Sequence, residues 1–330
     1  MSQSSLRARL PALAHLERLG PASLRRLLAV TLGVLVVFSL ASPDVFFTPL
    51  NFRLMAFALP EVTILSLAVM LSMLTGGIDL SVVSIANLAA LAAASVLTGG
   101  EGGPARMLEA VLAALLTGLA CGAANGALVT ALRITPILAT LGTMQLLNGI
   151  AIVLTGGKPV TALPDSFTEL GNGVLLGVPI PFVLLAVVAL LIALLVHRTS
   201  LGLRMTLVGA NPDAARFSGV KNTRVLVGTY TLSGALGAIA GLVICARTAS
   251  ASPDYGASYV LLSIVVAVFA GVNPNGGYAT VGGVVLSATC LQMLSSGLNI
   301  LRFSPFVVLM AQGAILIGVM ALNRWSERRG

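Results

Sequence analysis

The sequence predicts an all-α, polytopic membrane bundle of about ten spans with both termini in the cytoplasm. Three observations carry that prediction. The first is composition: of 330 residues, 57% are hydrophobic and 9% charged, and the mean hydropathy is +1.01. Soluble domains carry about 25% charged residues, so the excess apolar surface must face lipid. The second is segmentation. A spanning helix needs about 20 mostly apolar residues, and such runs fall at 25–42, 54–74, 80–98, 108–132, 134–155, 179–197, 223–246, 259–273, 279–299 and 304–322. The third is charge placement. With the N-terminus inside, 14 of the 19 Lys and Arg residues lie on the inner side, and 5 (Arg53, Arg106, Lys158, Arg247 and Arg302) on the outer, as the positive-inside rule requires. The net charge of +8 therefore serves orientation and does not indicate nucleic acid.

The elements follow in chain order. Residues 1–24 form a cytoplasmic segment in which Leu6, Leu10, Leu13 and Leu16 recur at helical spacing between arginines. That pattern suits a short helix on the membrane surface or a solvated tail. The first apolar run is expected to be retained, because the stretch before it, with Pro11, Glu17 and several arginines, is long for a signal peptide's charged region. Residues 25–323 make the transmembrane domain and 324–330 a cytoplasmic tail. Only Arg133 separates the fourth and fifth runs, which predicts a tight hairpin. The outer loop 156–178, rich in Gly and Pro, is long enough for a small lid or docking surface. The inner loop 197–224 is the most polar stretch outside the N-terminus. The eighth run is short enough to be a broken helix.

The third run begins at Thr75-Gly76-Gly77-Ile78-Asp79-Leu80-Ser81. Gly76 and Gly77 are expected to end one helix and Asp79 to cap the next. A broken helix inside a membrane is tolerated where it is buried in protein or lines a cavity, and such breaks form solute sites in transporters. An intramembrane carboxylate is a functional candidate by default, although neither Lys, Arg nor His stands nearby as a proton-relay partner. Glu61, after Pro60, is the other such residue. Uncharged amides and hydroxyls at membrane depth suit a neutral polyol, which needs donors and acceptors without charge. The pathway candidates are Gly76, Gly77, Asp79, Ser81, Asn87, Asn125, Thr140, Thr143, Asn148 and Asn273, with Gln145, Gln292 and Asn299 also near spans. Ser84, Asn87 and Leu91 share a helical face; Thr140, Thr143 and Gln145 do not. Each could equally bond one helix to another. Small-residue runs such as LAALAAAS, AANGA and GALGAIAG suit close helix packing.

Within the inner loop, Asn211-Pro212-Asp213-Ala214-Ala215-Arg216-Phe217-Ser218-Gly219 reads as a miniature helix. Asn211 can cap it, Pro212 suits its first position, Asp213 complements the positive dipole end and Gly219 can end it. Two turns are not stable alone in water, so the membrane surface or a partner must hold them.

The segments TGGIDLS, ANGALVTALRITPILATLGTM, GANPDAARFSGV and GVNPNGGYATVGG occur in this order between about Asn51 and Leu322. Together they resemble the membrane permease subunits of ATP-binding-cassette importers for ribose, related monosaccharides and autoinducer-2, with a more distant branch for branched-chain amino acids. Val83 and Tyr278 stand where many members have Gly and Arg. The resemblance implies a multi-pass protein of the bacterial inner membrane that pairs with a second permease subunit. It also implies a cytoplasmic ATPase, which carries ATP and Mg, and a periplasmic solute-binding protein. It assigns coupling to the ATPase to Asn211, Pro212, Asp213, Ala215, Arg216, Ser218 and Gly219.

Absences agree with a permease that has no motor of its own and does no covalent chemistry. A P-loop needs Ser or Thr after GxxxxGK, whereas Gly156-Gly157-Lys158 is followed by Pro159. No HExxH occurs. Cys121, Cys245 and Cys290 form no CxxC, and His15 and His197 stand apart, so no disulfide framework or metal site is indicated. The main alternative is an ion-coupled secondary transporter, which requires essential intramembrane carboxylates and works without an ATPase. A membrane enzyme or channel would need a nucleophile–base pair, a metal motif or a continuous pore. Ten spans also divide into five and five of opposite orientation, an inverted repeat that would match Asp79 with Asp254.

Overall fold

The computed structural model describes residues 22–100 and 103–327. The proposed surface helix at Leu6–Leu16 and the end of the C-terminal tail lie outside the described residues. Among the described residues fourteen helices follow one another: α1 (Ala22–Ala41), α2 (Pro43–Phe46), α3 (Pro49–Leu74), α4 (Val82–Thr98), α5 (Pro104–Ala131), α6 (Pro136–Thr155), α7 (Asp165–Asn172), α8 (Ile180–Arg198), α9 (Ser200–Ala210), α10 (Pro212–Phe217), α11 (Asn222–Thr248), α12 (Tyr259–Phe269), α13 (Val281–Ile300) and α14 (Pro305–Glu327). Each of the ten apolar runs coincides with a helix. Seven helices (α1, α3, α5, α6, α8, α11 and α13) are long and apolar enough to cross a membrane; α4, α12 and the Pro305–Ile315 part of α14 are shorter. The only strands among the described residues are β1 (Val174–Leu175) and β2 (Val178–Pro179), paired antiparallel with Val174 opposite Pro179. Leu176 and Gly177 both have positive φ between them, the geometry of a type I′ hairpin turn.

Proline at the first helical position opens α3, α5, α6 and α10, where its missing N–H costs nothing. Two helices end within the core. At the end of α3, Gly76 N bonds Met73 O at 2.9 Å and Gly77 N bonds Ser72 O at 3.1 Å. At the end of α12, Gly271 N bonds Val268 O at 2.9 Å and Val272 N bonds Ala267 O at 3.1 Å. Both are Schellman motifs with a left-handed glycine, Gly76 (φ 81°) and Gly271 (φ 83°). The chain is thus broken between α3 and α4 and again between α12 and α13.

The centre of the molecule is α11 packed against α5, α4 and α3. Glycines let the backbones touch. A Cβ on Gly118 or Gly122 would strike the carbonyl of Gly234 or Tyr230 on α11, and one on Gly241 would strike the Ala86 carbonyl on α4. In lipid, where apolar surface alone does not drive helices together, such close packing supplies the association. On the outside, Leu116 on α5, Val153 on α6, Leu190 on α8 and Phe306 on α14 are exposed, as expected of surfaces that meet hydrocarbon.

Several expectations need correction. The α5–α6 connection is not a single residue: α5 ends at Ala131 and α6 starts at Pro136, because the residue before proline is held out of the helical region, and Thr135 is extended accordingly. The inner loop is mostly helix, with α9 preceding the miniature helix α10. The outer loop is no free lid. It holds α7, whose Phe167 and Gly171 are buried, with Gly171 against the Ala246 backbone, and Val160 bridges Ala251. Asp79 does not cap α4: the cap position belongs to Ser81, and no side chain bonds the first turn. The two aspartates matched by the repeat also differ, since Asp79 is buried and Asp254 exposed.

Candidate functional site

Asp79 lies in the break between α3 and α4 and is 1% exposed. Its Oδ1 accepts from Ser81 N at 3.0 Å and Ser81 Oγ at 2.6 Å, and its Oδ2 accepts from Ser233 Oγ on α11 at 2.9 Å. Its own N–H donates to Ser72 Oγ on α3 at 3.1 Å. Asn125 Nδ2 on α5 donates to Ser81 Oγ at 2.7 Å. The break is therefore tied to α11 by the Asp79 carboxylate, to α3 by the Asp79 peptide N–H and to α5 through the Ser81 hydroxyl. Thr140 adds α6: its Oγ1 accepts from Leu80 N at 3.2 Å and bonds Pro136 O at 2.8 Å. Tyr230 closes the cluster with a fully buried ring, and its hydroxyl sits where a Cβ on Gly77 would be. Gly77, Asp79, Ser81, Asn125 and Thr140 are thus brought together as one buried junction, while Gly76 lies exposed beside it, next to the Asn275 carbonyl. Asn125 and Thr140 belong to helices, α5 and α6, that each keep a largely exposed face.

Asn87 and Asn148 gather elsewhere, around a cavity of about 360 Å³ between α4, α6 and the Pro253–Leu261 segment. Asn87 Nδ2 donates to Pro253 O at 2.8 Å. Asn148 Nδ2, with the amide oriented so that nitrogen meets acceptors, donates to Pro253 O at 3.1 Å and Asp254 Oδ1 at 3.3 Å. Ser84 and Gln145 share the lining, and Leu80, next to Asp79, forms part of the wall. The break and the cavity are therefore adjoining. Gln292 and Asn299 line a different cavity of about 400 Å³ between α3, α12, α13 and α14. Two candidates serve neither place. Thr143 bonds the Thr140 carbonyl at 3.2 Å beside an otherwise apolar pocket. Asn273 folds its own loop, with Nδ2 to Gly276 O at 3.0 Å and Oδ1 accepting from Asn275 N at 3.1 Å.

The segment Asn211–Gly219, to which the resemblance assigns coupling, is built as its sequence dictates. Asn211 Oδ1 accepts from Asp213 N at 3.1 Å and Ala214 N at 3.0 Å. Gly219 has φ 82° and ends α10 with Val220 N bonded to Ala215 O at 3.0 Å. Ala215 is buried beneath the helix, while Pro212, Asp213, Arg216 and Ser218 face outward. Asn222 Nδ2 braces α10 through Pro212 O at 2.7 Å. Behind it, the end of α9 touches both breaks. Gly277 N bonds Leu74 O at 3.0 Å, Gly276 fits against Gly209 and Gly76, and Gly209 has no room for a Cβ beside the Leu74 carbonyl.

Some residues of these sites escape sequence reasoning. Phe217, 93% exposed at the tip of α10, is not among the residues the resemblance assigns to coupling, although an aromatic in so polar a loop is itself a signal. Ser233 and Tyr230 look like ordinary residues of a small-residue helix. Glu61 proves to be buried and ion-paired with Arg247, and Tyr259 donates to its Oε2 at 3.1 Å. Opposite charges assigned to the outer ends of two spans could have suggested that pair. Burial, and then the nearby Glu61 charge, push the Tyr255 hydroxyl above the ordinary phenol value.

Comparison with known proteins gives a consistent picture. Residues 51–320 match the family described as "Branched-chain amino acid transport system / permease component". The ribose import permease protein of Bacillus subtilis (strain 168) is 33% identical over 296 residues, covering 88% of this chain and 89% of its own. An autoinducer 2 import system permease protein from Enterobacter sp. (strain 638) is 35% identical over 263 residues, 78% of this chain and 79% of its own. The L-arabinose transport system permease protein of Escherichia coli (strain K12) is 30% identical over 303 residues, 90% and 91% of the two chains. No solved structure matches the chain.

Proposed function

That this chain belongs to the permease-component family of branched-chain amino acid transport systems is the premise from which we propose that it is the membrane subunit of an ATP-binding-cassette importer. Its cargo is a monosaccharide or similar small neutral solute, carried across a bacterial inner membrane by alternating access. The ten helical runs cross the bilayer with both termini in the cytoplasm. The subunit works as one of a pair, receives solute from a soluble periplasmic binding protein and is driven by a cytoplasmic ATPase that holds the ATP and Mg. The two ligand-like ends of this task map onto the molecule: α10 faces the ATPase, and the cavity between α4 and α6 lies on the solute path.

The observation that carries the reading is α10. It is a capped two-turn helix on a buried Ala215 base, with Asp213, Arg216 and Phe217 presented outward. A helix this short is not self-supporting, and an exposed aromatic beside an arginine is the composition of an interface anchor. The cargo class rests on the relatives, whose names specify ribose, L-arabinose and autoinducer 2, and on the cavity. The one charged side chain lining this cavity is Asp254, an acceptor for hydroxyl donors.

Reconstitution in proteoliposomes with the ATPase and binding protein encoded beside its gene tests the proposal. ATP-dependent uptake of D-ribose or L-arabinose, absent without the ATPase, is the expected result. Uptake driven by a proton or sodium gradient in the chain alone would overturn it in favour of a secondary transporter.

A further inference from the structure

We propose that Asp254, with the amides of Asn148 and Asn87, forms a binding site for the adjacent hydroxyl pair of a neutral polyol at the mouth of the α4–α6 cavity. The inference rests on the permease reading and adds a specific site to it. The cavity, about 360 Å³, is at the small end of the roughly 300–1,000 Å³ range of small-molecule pockets. Its one charged lining group is the exposed Asp254 carboxylate. An ionised carboxylate is an acceptor only, with two oxygens side by side, and charged acceptors hold hydroxyl donors more strongly than neutral ones. Neighbouring hydroxyls on a carbon chain present two donors side by side, which is the matching arrangement.

The remaining lining completes the match. Asn87 and Asn148 spend their nitrogens on Pro253 and Asp254, which leaves their carbonyl oxygens for further donors. Ser84 and Gln145 can each donate and accept. Leu141, Met144, Val260 and Leu261 give an apolar wall suited to the C–H face of a sugar. The same bonds hold the Pro253–Asp254 segment against α4 and α6. An arriving hydroxyl pair competes with Asn148 for the carboxylate, so that binding and loosening of the mouth are one event.

The full-length chain in lipid nanodiscs tests this with two four-carbon probes, erythritol, which has adjacent hydroxyls, and 1,4-butanediol, which has none. Saturation-transfer NMR titration should detect erythritol and not butanediol. Asp254→Ala should bind erythritol at least about ten-fold more weakly, while Asp165→Ala, on the outer helix α7, leaves binding unchanged. A thermal unfolding midpoint for each variant confirms that it is folded. Failure of erythritol to bind the native chain, equal binding in Asp254→Ala, or equal response to both probes would overturn the site. ATP-driven D-ribose uptake by the assembled transporter is measured in parallel. If uptake persists while erythritol binding is absent or independent of Asp254, the site falls and the permease reading stands.

Discussion

At Asp79, three donors stand in for water: Ser81 N, Ser81 Oγ and Ser233 Oγ. Asparagine keeps an oxygen for the Ser81 donors, and its nitrogen can meet Ser233 Oγ once that hydroxyl turns to accept. Leucine strands all three, and a buried donor without a partner costs about 1–3 kcal/mol. Asp79→Asn should therefore unfold in detergent close to the native midpoint, and Asp79→Leu should be destabilised by about 2–4 kcal/mol. Equal and complete loss of transport in both variants, with folding intact, would point instead to a role for the charge itself. A second pair tests the tightness of the same junction. Gly77→Ala drives a methyl into the Tyr230 hydroxyl and should lower the yield of folded protein. Tyr230→Phe removes an oxygen that finds no hydrogen-bond partner among the described residues and should restore most of that yield in the double variant, a coupling that a double-mutant cycle measures directly. No rescue would mean that Pro136, 3.0 Å from the same Cβ position, dominates the clash.

At the scale of elements, α10 and α9 divide one task between them. The exposed Phe217 ring is a candidate anchor for the ATPase, and Phe217→Ala should weaken association of the two purified subunits by about 2 kcal/mol, read by titration, without changing permease stability. Undiminished affinity would remove Phe217 from the interface. Gly209 lies behind this proposed interface, where α9 meets Leu74 and Gly276–Gly277. Gly209→Ala should leave ATPase binding intact and yet reduce solute moved per ATP hydrolysed, because the junction between coupling segment and breaks is forced apart. A parallel fall in both quantities would mean that α10 itself had been displaced. The helix at Asn211–Gly219 was legible in the sequence because its caps are local: each signal sits within a turn of the bond it makes. Helix α9 was not, although Thr199 caps it by accepting from Gly202 N at 3.3 Å: its two glycines, Gly202 and Gly209, argue against a helix locally, and they are explained only by close packing, Gly209 against residues far along the chain.

For the whole molecule, the apolar runs were legible because a bilayer imposes both length and hydrophobicity on a crossing helix, and the break at Gly76–Gly77 because left-handed backbone selects glycine. Partnerships across the chain were not. Ser233 reaches Asp79, Asn87 reaches Pro253 and Arg247 reaches Glu61 over long separations, and nothing in the local pattern at either end names the other. The last of these ties α3 to α11, with Tyr259 of α12 joined to it. Removing one member of a buried ion pair costs about 3–5 kcal/mol, while replacing both can be nearly neutral. Arg247→Met should accordingly lower the unfolding midpoint more than the double variant Glu61→Gln, Arg247→Met. Additive losses would mean that the two charges do not interact. The contact of α5 and α4 with α11 has a consequence for the gene as well. Every missense change at a glycine codon introduces a side chain, and at Gly118, Gly122, Gly234 and Gly241 the nearest atoms are those of an opposing backbone, which cannot rotate aside. These codons have no conservative neighbour, so a population carrying this gene would show silent variation there and little else, even as lipid-facing leucines drift freely.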